Sequence, residues 1–86
     1  MFIIVTYDVD VKRIDKVRKT LRKYLNWVQN SVFEGEISIS NLAKCKAELE
    51  KIIEENDSIY FYELKSPYAV TKTVIGEDKN VTDNFL

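Results

Sequence analysis

At 86 residues the chain is expected to be one domain, and a net charge of −1 does not by itself mark a nucleic-acid binder. The absence of histidine removes Ser-His-Asp and Cys-His nucleophile systems and every histidine-based acid or base. The single cysteine, Cys45, excludes an internal disulfide and, without histidine, a structural zinc site; a reducing, cytoplasmic setting is expected, and any metal must be held by oxygen, which favours magnesium or manganese.

Residues 2–8, Phe-Ile-Ile-Val-Thr-Tyr-Asp, read as a strand because they are almost all β-branched or aromatic. No basic segment precedes an apolar run, so no signal peptide is expected, and no stretch is apolar for long enough to cross a membrane. Phe2 and Ile4 point one way, and Ile3, Val5 and Tyr7 the other. A strand apolar on both faces is expected at the centre of a sheet. Asp8 shares the face of Phe2, Ile4 and Thr6 and ends the strand at a strand-to-helix corner, where sheets of this kind often place ligands.

Asp10 is positioned to cap a first helix over residues 11–25. Ile14, Val17, Leu21 and Tyr24 or Leu25 form its apolar stripe, and Lys12, Lys16, Lys19 and Lys23 form a second stripe flanked by Arg13, Arg18 and Arg22. Residues 27–34 read as a strand broken by Gly35, with a short partner strand over residues 36–38. Ser40 or Asn41 opens a second helix to about residue 56, with Leu42, Cys45, Leu49, Ile52 and Ile53 as its buried stripe. Cys45 on that stripe reads as a core residue and not a reactive thiol. Residues 58–64 are a further strand, Ser66-Pro67 is a turn, and residues 69–75 a late strand. The domain is expected to span residues 1–76, with a loose polar tail over 77–86.

The order β-α-β-β-α-β plus one strand predicts an α+β, ferredoxin-like sandwich with both helices on one face of the sheet. The other face would expose large apolar groups of the first and fourth strands, so a homodimer is expected, by packing of the bare faces or by pairing of the last strand with the partner's sheet.

Two groups carry the candidate chemistry. Asp8 could hold a metal if two-fold symmetry supplied its second copy, or could simply cap the following helix. The seven cations Lys12, Arg13, Lys16, Arg18, Lys19, Arg22 and Lys23 stand against one acid, Asp15, while acids gather later at Glu48, Glu50, Glu54, Glu55 and Asp57. Such a helix would contact phosphates without reading bases, or be an ordinary solvated face. Tyr7 and Phe33 could stack on bases or pack in the core, and Ser31 could donate to a phosphate or to backbone.

The apolar strand ending Tyr7-Asp8-Val9, the basic run Lys12-Arg13-Ile14-Asp15-Lys16-Val17 and the stretch from Val28 through Gln29, Asn30, Ser31, Val32, Phe33 and Glu34 to Gly35 resemble the second of the universal CRISPR-associated proteins, the Cas-two family. The resemblance covers about the first forty residues by motif and the rest by pattern and length. It implies a homodimer that joins the Cas-one integrase in capturing foreign DNA as new spacers. It also implies binding of double-stranded DNA or single-stranded RNA, and a magnesium-dependent phosphodiesterase activity on RNA or DNA in some members, with Asp8 from both subunits at the metal and Tyr7, Arg13, Ser31 and Phe33 around it. Two positions depart from the family pattern: Leu25 stands where many members have glycine, and Asn30 where some nucleases have a basic residue. The competing roles are a DNA-binding scaffold without cleavage and a toxin-like ribonuclease of the same fold, whose expression would harm growth.

Overall fold

The computed structural model describes residues 1–65 and 71–79. The elements are β1 (Phe2–Asp8), a 3-10 turn (Val11–Arg13), α1 (Ile14–Arg22), β2 (Asn26–Gln29), β3 (Val32–Glu36), α2 (Ile39–Glu50) and β4 (Ser58–Leu64). The strands form one antiparallel sheet in the order β2-β3-β1-β4, the ferredoxin-like arrangement expected. Among the described residues no helix is long and apolar enough to cross a membrane.

β1 is central, as its two apolar faces require. Val5 lies opposite Phe33 of β3 and Phe61 of β4, while Ile4 lies opposite Glu34 and Tyr62. Ile3, Val5 and Tyr7 are buried in the core with Val17 and Leu21 of α1, Leu42, Cys45 and Leu49 of α2, and Phe33. Burial pushes the Cys45 thiol up to about 11, which leaves it protonated and unreactive at neutral pH. On the other face Phe2 and Ile4 sit beside Tyr60 and Tyr62, each about half exposed at 53% and 54%. Neither helix covers that face.

Several boundaries differ from the sequence expectation. The first helix begins as a 3-10 turn, capped by the Asp10 carboxylate accepting from the Lys12 amide, and its α-helical part ends at Arg22. The second helix starts two residues early because the Ser38 hydroxyl accepts from the Asn41 amide at 3.1 Å. It stops at Glu50 and not near residue 56, since the Asp57 carboxylate takes the Glu54 amide and turns the chain toward β4.

The hairpin turns at Asn30 and Ser31, not at Gly35. Asn30 holds φ at 37°, a left-handed conformation that asparagine tolerates, and β2 carries a bulge between Trp27 and Gln29. Gly35 lies inside β3 opposite Ile3, with φ at 156° and the space for its missing Cβ 3.4 Å from Leu25 Cδ2. The late strand expected over residues 69–75 is not formed in its described part. Residues 71–75 make no strand, and 69–70, the Ser66-Pro67 turn and most of the tail lie outside the described residues. Residues 72–75 run beside Val28 and Gln29 of the edge strand β2, and Lys72 Nζ donates to Glu34 Oε1 at 2.8 Å.

These positions make a test. Gly35→Ala should lower stability by about 1–3 kcal/mol through backbone strain, whereas Asn30→Gly should be neutral or stabilising by up to about 1 kcal/mol. Urea unfolding of both variants decides between this hairpin and one turning at Gly35, which would reverse the ranking.

Candidate active site and nucleic-acid interface

Asp8 ends β1, exposed, opposite Ser58 of β4. The helix-capping role open to it in the sequence belongs instead to Asp10. Among the described residues no hydrogen bond or ion pair within the chain engages the Asp8 carboxylate. Asp8 borders an open cleft of about 430 Å³ shared with Val9, Asp10, Arg13 and residues 54–57.

The floor of this cleft is organised by Asp57, which the sequence reading passed over as one more acid. Its side chain is only 1% exposed, and its two oxygens accept four hydrogen bonds. Oδ1 takes the Asp10 amide at 2.9 Å and Arg13 Nη2 at 3.1 Å; Oδ2 takes the Glu54 amide at 2.9 Å and Arg13 Nε at 2.5 Å. Arg13 also donates from Nη1 to Glu54 Oε2 at 2.9 Å. The paired guanidinium, helped by the two backbone amides, holds the Asp57 carboxyl well below the usual carboxylate range. Arg13 and Asp57 are far apart in sequence, and no local pattern marks the pair.

The other expected site residues divide by strand alternation. Tyr7 points to the face opposite Asp8 and is buried, its ring centroid 6.3 Å from that of Phe33. Burial raises the Tyr7 phenol above its ordinary value, against opposing effects of Arg18, the Ser31 hydroxyl and Arg22. Tyr7 N–H donates to the Ser31 carbonyl at 3.2 Å. Tyr7, Ser31 and Phe33 therefore form one group on the helix side, and neither ring offers a face for base stacking. Asp8 and Arg13 form another group in the cleft.

On the basic helix Lys12, Lys16 and Lys19 are exposed along one face. Arg18, Lys19 and Arg22 line a shallow groove of about 240 Å³ with Asp15. Lys23 is bonded to Glu48, which also accepts from the Tyr24 hydroxyl and so ties the end of α1 to α2. Those two hydrogen bonds, Lys23 first, lower the Glu48 carboxyl, and Glu48 in turn pushes the Tyr24 phenol up to about 12.

Among the described residues no group of three or more acidic or thiol side chains could hold a metal ion.

A family profile described as CRISPR associated protein Cas2 matches residues 1–71. The chain belongs to the Cas2 family. It is 56% identical over 86 residues to a CRISPR-associated endoribonuclease Cas2 of Thermodesulfovibrio yellowstonii, covering 99% of this chain and 98% of that one. It is 46% identical over 87 residues to the CRISPR-associated endoribonuclease Cas2 of Pyrococcus furiosus, covering both in full. A crystal structure of Cas2 superposes with a TM-score of 0.84 at 43% identity, covering 92% of this chain and 90% of the other. That of Streptococcus pyogenes Cas2 gives 0.77 at 36% identity, covering 88% and 100%. The fold is that of the Cas2 family.

Because the folded Asp57 carboxyl is depressed, the stability it confers is complete above the unfolded carboxylate value of about 4. It is lost as pH falls below that value toward the lower folded one. Asp57→Asn should lower the thermal midpoint at pH 7 by on the order of 10 °C, and the gap to the parent chain should narrow between about pH 5 and 3. A gap independent of pH in melting curves would show that Asp57 is not held charged by Arg13.

Proposed function

We propose that two copies of this chain pair through their open sheet faces and act as a metal-dependent phosphodiesterase that also carries duplex DNA beside the Cas-one integrase during spacer acquisition. The observation that carries this reading is Asp8, an exposed carboxylate without a partner among the described residues, on the same face of β1 as Phe2 and Ile4. A second copy covering that face takes its apolar groups out of water and brings two Asp8 carboxylates to one cleft.

Each Asp8 would be a ligand for magnesium, which is satisfied by one or two carboxylates together with waters and phosphate oxygens. When bound, such an ion supplies charge neutralisation at the scissile phosphate and a more acidic water. The chain's own residues hold the site in place. Tyr7 and Phe33 anchor the end of β1 against the helices, and Asp10 starts the turn that carries the chain away from the cleft. The name endoribonuclease carried by the relatives supports RNA as the cleaved substrate, and membership of the family supports the CRISPR setting and the Cas-one partnership. Lys12, Lys16 and Lys19 support backbone binding without base readout, and pairing would present this face twice, which suits a duplex. The rival reading is a duplex-binding scaffold that cleaves nothing, which the exposed Lys12, Lys16 and Lys19 would serve equally well.

Asp8→Asn should reduce cleavage of single-stranded RNA by at least about a hundredfold, and a chelator should do the same. Lys12→Glu, Lys16→Glu and Lys19→Glu together should weaken duplex binding at least about tenfold and flatten its salt dependence, leaving the fold intact. Tyr62→Glu should yield a single chain by sedimentation that cleaves nothing. Cleavage that survives both Asp8→Asn and chelation would remove the enzymatic part and leave the scaffold.

A further inference from the structure

We infer that Asp57 and Arg13 act as one positioning device that sets the direction of Asp8, and that Arg13 serves the cleft through Asp57 and not as a phosphate ligand. The inference rests on the reading of Asp8 as the metal-facing carboxylate. The residues that could aim Asp8 are those that fix the backbone just beyond it. Asp57 does so directly, since Oδ1 takes the Asp10 amide at 2.9 Å, two residues past Asp8.

Asp57 is itself held on both oxygens. Arg13 grips it with Nε and Nη2, a two-point contact that fixes the carboxylate plane as well as its position. Oδ2 takes the Glu54 amide, so the turn before β4 is locked to the turn after β1. These turns flank Asp8 and its register partner Ser58, and the carboxylate ties them together across the cleft. The remaining Nη1 of Arg13 is occupied by Glu54 at 2.9 Å. The guanidinium side chain is 17% exposed and its charge is already paired with the Asp57 and Glu54 carboxylates, so a phosphate on its two remaining N–H groups would have to compete with both. Lys12 and Lys16, exposed nearby on the same helix, can reach a phosphate at no such cost.

The test compares Asp57→Asn, Arg13→Gln, the double variant and Asp8→Asn in the full chain. Four readouts are taken: hydrogen exchange of the Asp10 amide, manganese affinity, duplex affinity, and kcat and KM for RNA cleavage. Each clamp variant should speed Asp10 exchange at least about tenfold. Each should also weaken manganese binding and lower kcat by about 10–100-fold, with KM and duplex affinity within about twofold of the parent. The double variant should be no worse than the more affected single, because the two side chains act as a unit. Circular dichroism at the assay temperature confines the comparison to folded protein, and a variant that does not fold is read at lower temperature by exchange alone.

The inference is overturned if Arg13→Gln weakens duplex binding tenfold while Asp57→Asn leaves exchange, manganese affinity and kcat unchanged, for Arg13 is then a phosphate ligand. If Asp8→Asn cleaves like the parent, the nuclease reading falls separately. The clamp is then judged on Asp10 exchange, where faster exchange in both single variants upholds it and parental exchange overturns it.

Discussion

The structure depends on β1 being paired along both edges. Once β3 and β4 have taken its backbone groups, each successive side chain must commit to one face of the sheet or the other. Ile3, Val5 and Tyr7 commit to the helices and carry the core; Phe2, Ile4, Thr6 and Asp8 commit to the uncovered face. The same alternation separates Tyr7 from Asp8, although they are neighbours in sequence. One is a buried aromatic that steadies the end of the strand, and the other is a carboxylate left in the open.

What surrounds Asp8 follows from a different force. Asp57 is almost entirely removed from water, which would be costly for a lone carboxylate, and it is stable there because every approach is filled by a donor. Two of those donors are backbone amides that would otherwise go unsatisfied at turns. The arrangement joins the loop after β1 to the loop before β4 with a short, charged cross-link, in a chain that has no disulfide to do the same. Asp8 borders this network without a bond to it among the described residues.

The basic helix is less uniform than its composition. Lys23 is bonded to Glu48 on α2, and Arg13 is taken by Asp57 and Glu54, so these two cations are structural. Lys12, Lys16 and Lys19 remain as an exposed row on the outer side of the helix. Excess positive charge along α1 thus does two jobs: part of it docks the helix to the second half of the chain, and part of it faces solvent.

The sequence by itself determined the strand over residues 2–8 and that over 58–64, the two amphipathic helices, the sheet with one bare face and the singling out of Asp8. All of these are written in local periodicity, and the side-chain alternation of a strand needs no partner to be read. Helix ends and the hairpin turn were less legible, because Ser38, Asn30 and Asp57 act through hydrogen bonds whose partners are chosen only once the backbone bends. The fate of residues 71–75 was not legible at all, since strand-forming residue types alone do not say whether a sheet edge will take them up. Only the tertiary structure decided which charges are free. Arg13 and Asp57 lie 44 residues apart, and the closing of β4 against β1 is what brings them into contact and leaves Asp8 beside them without a bond to any described residue.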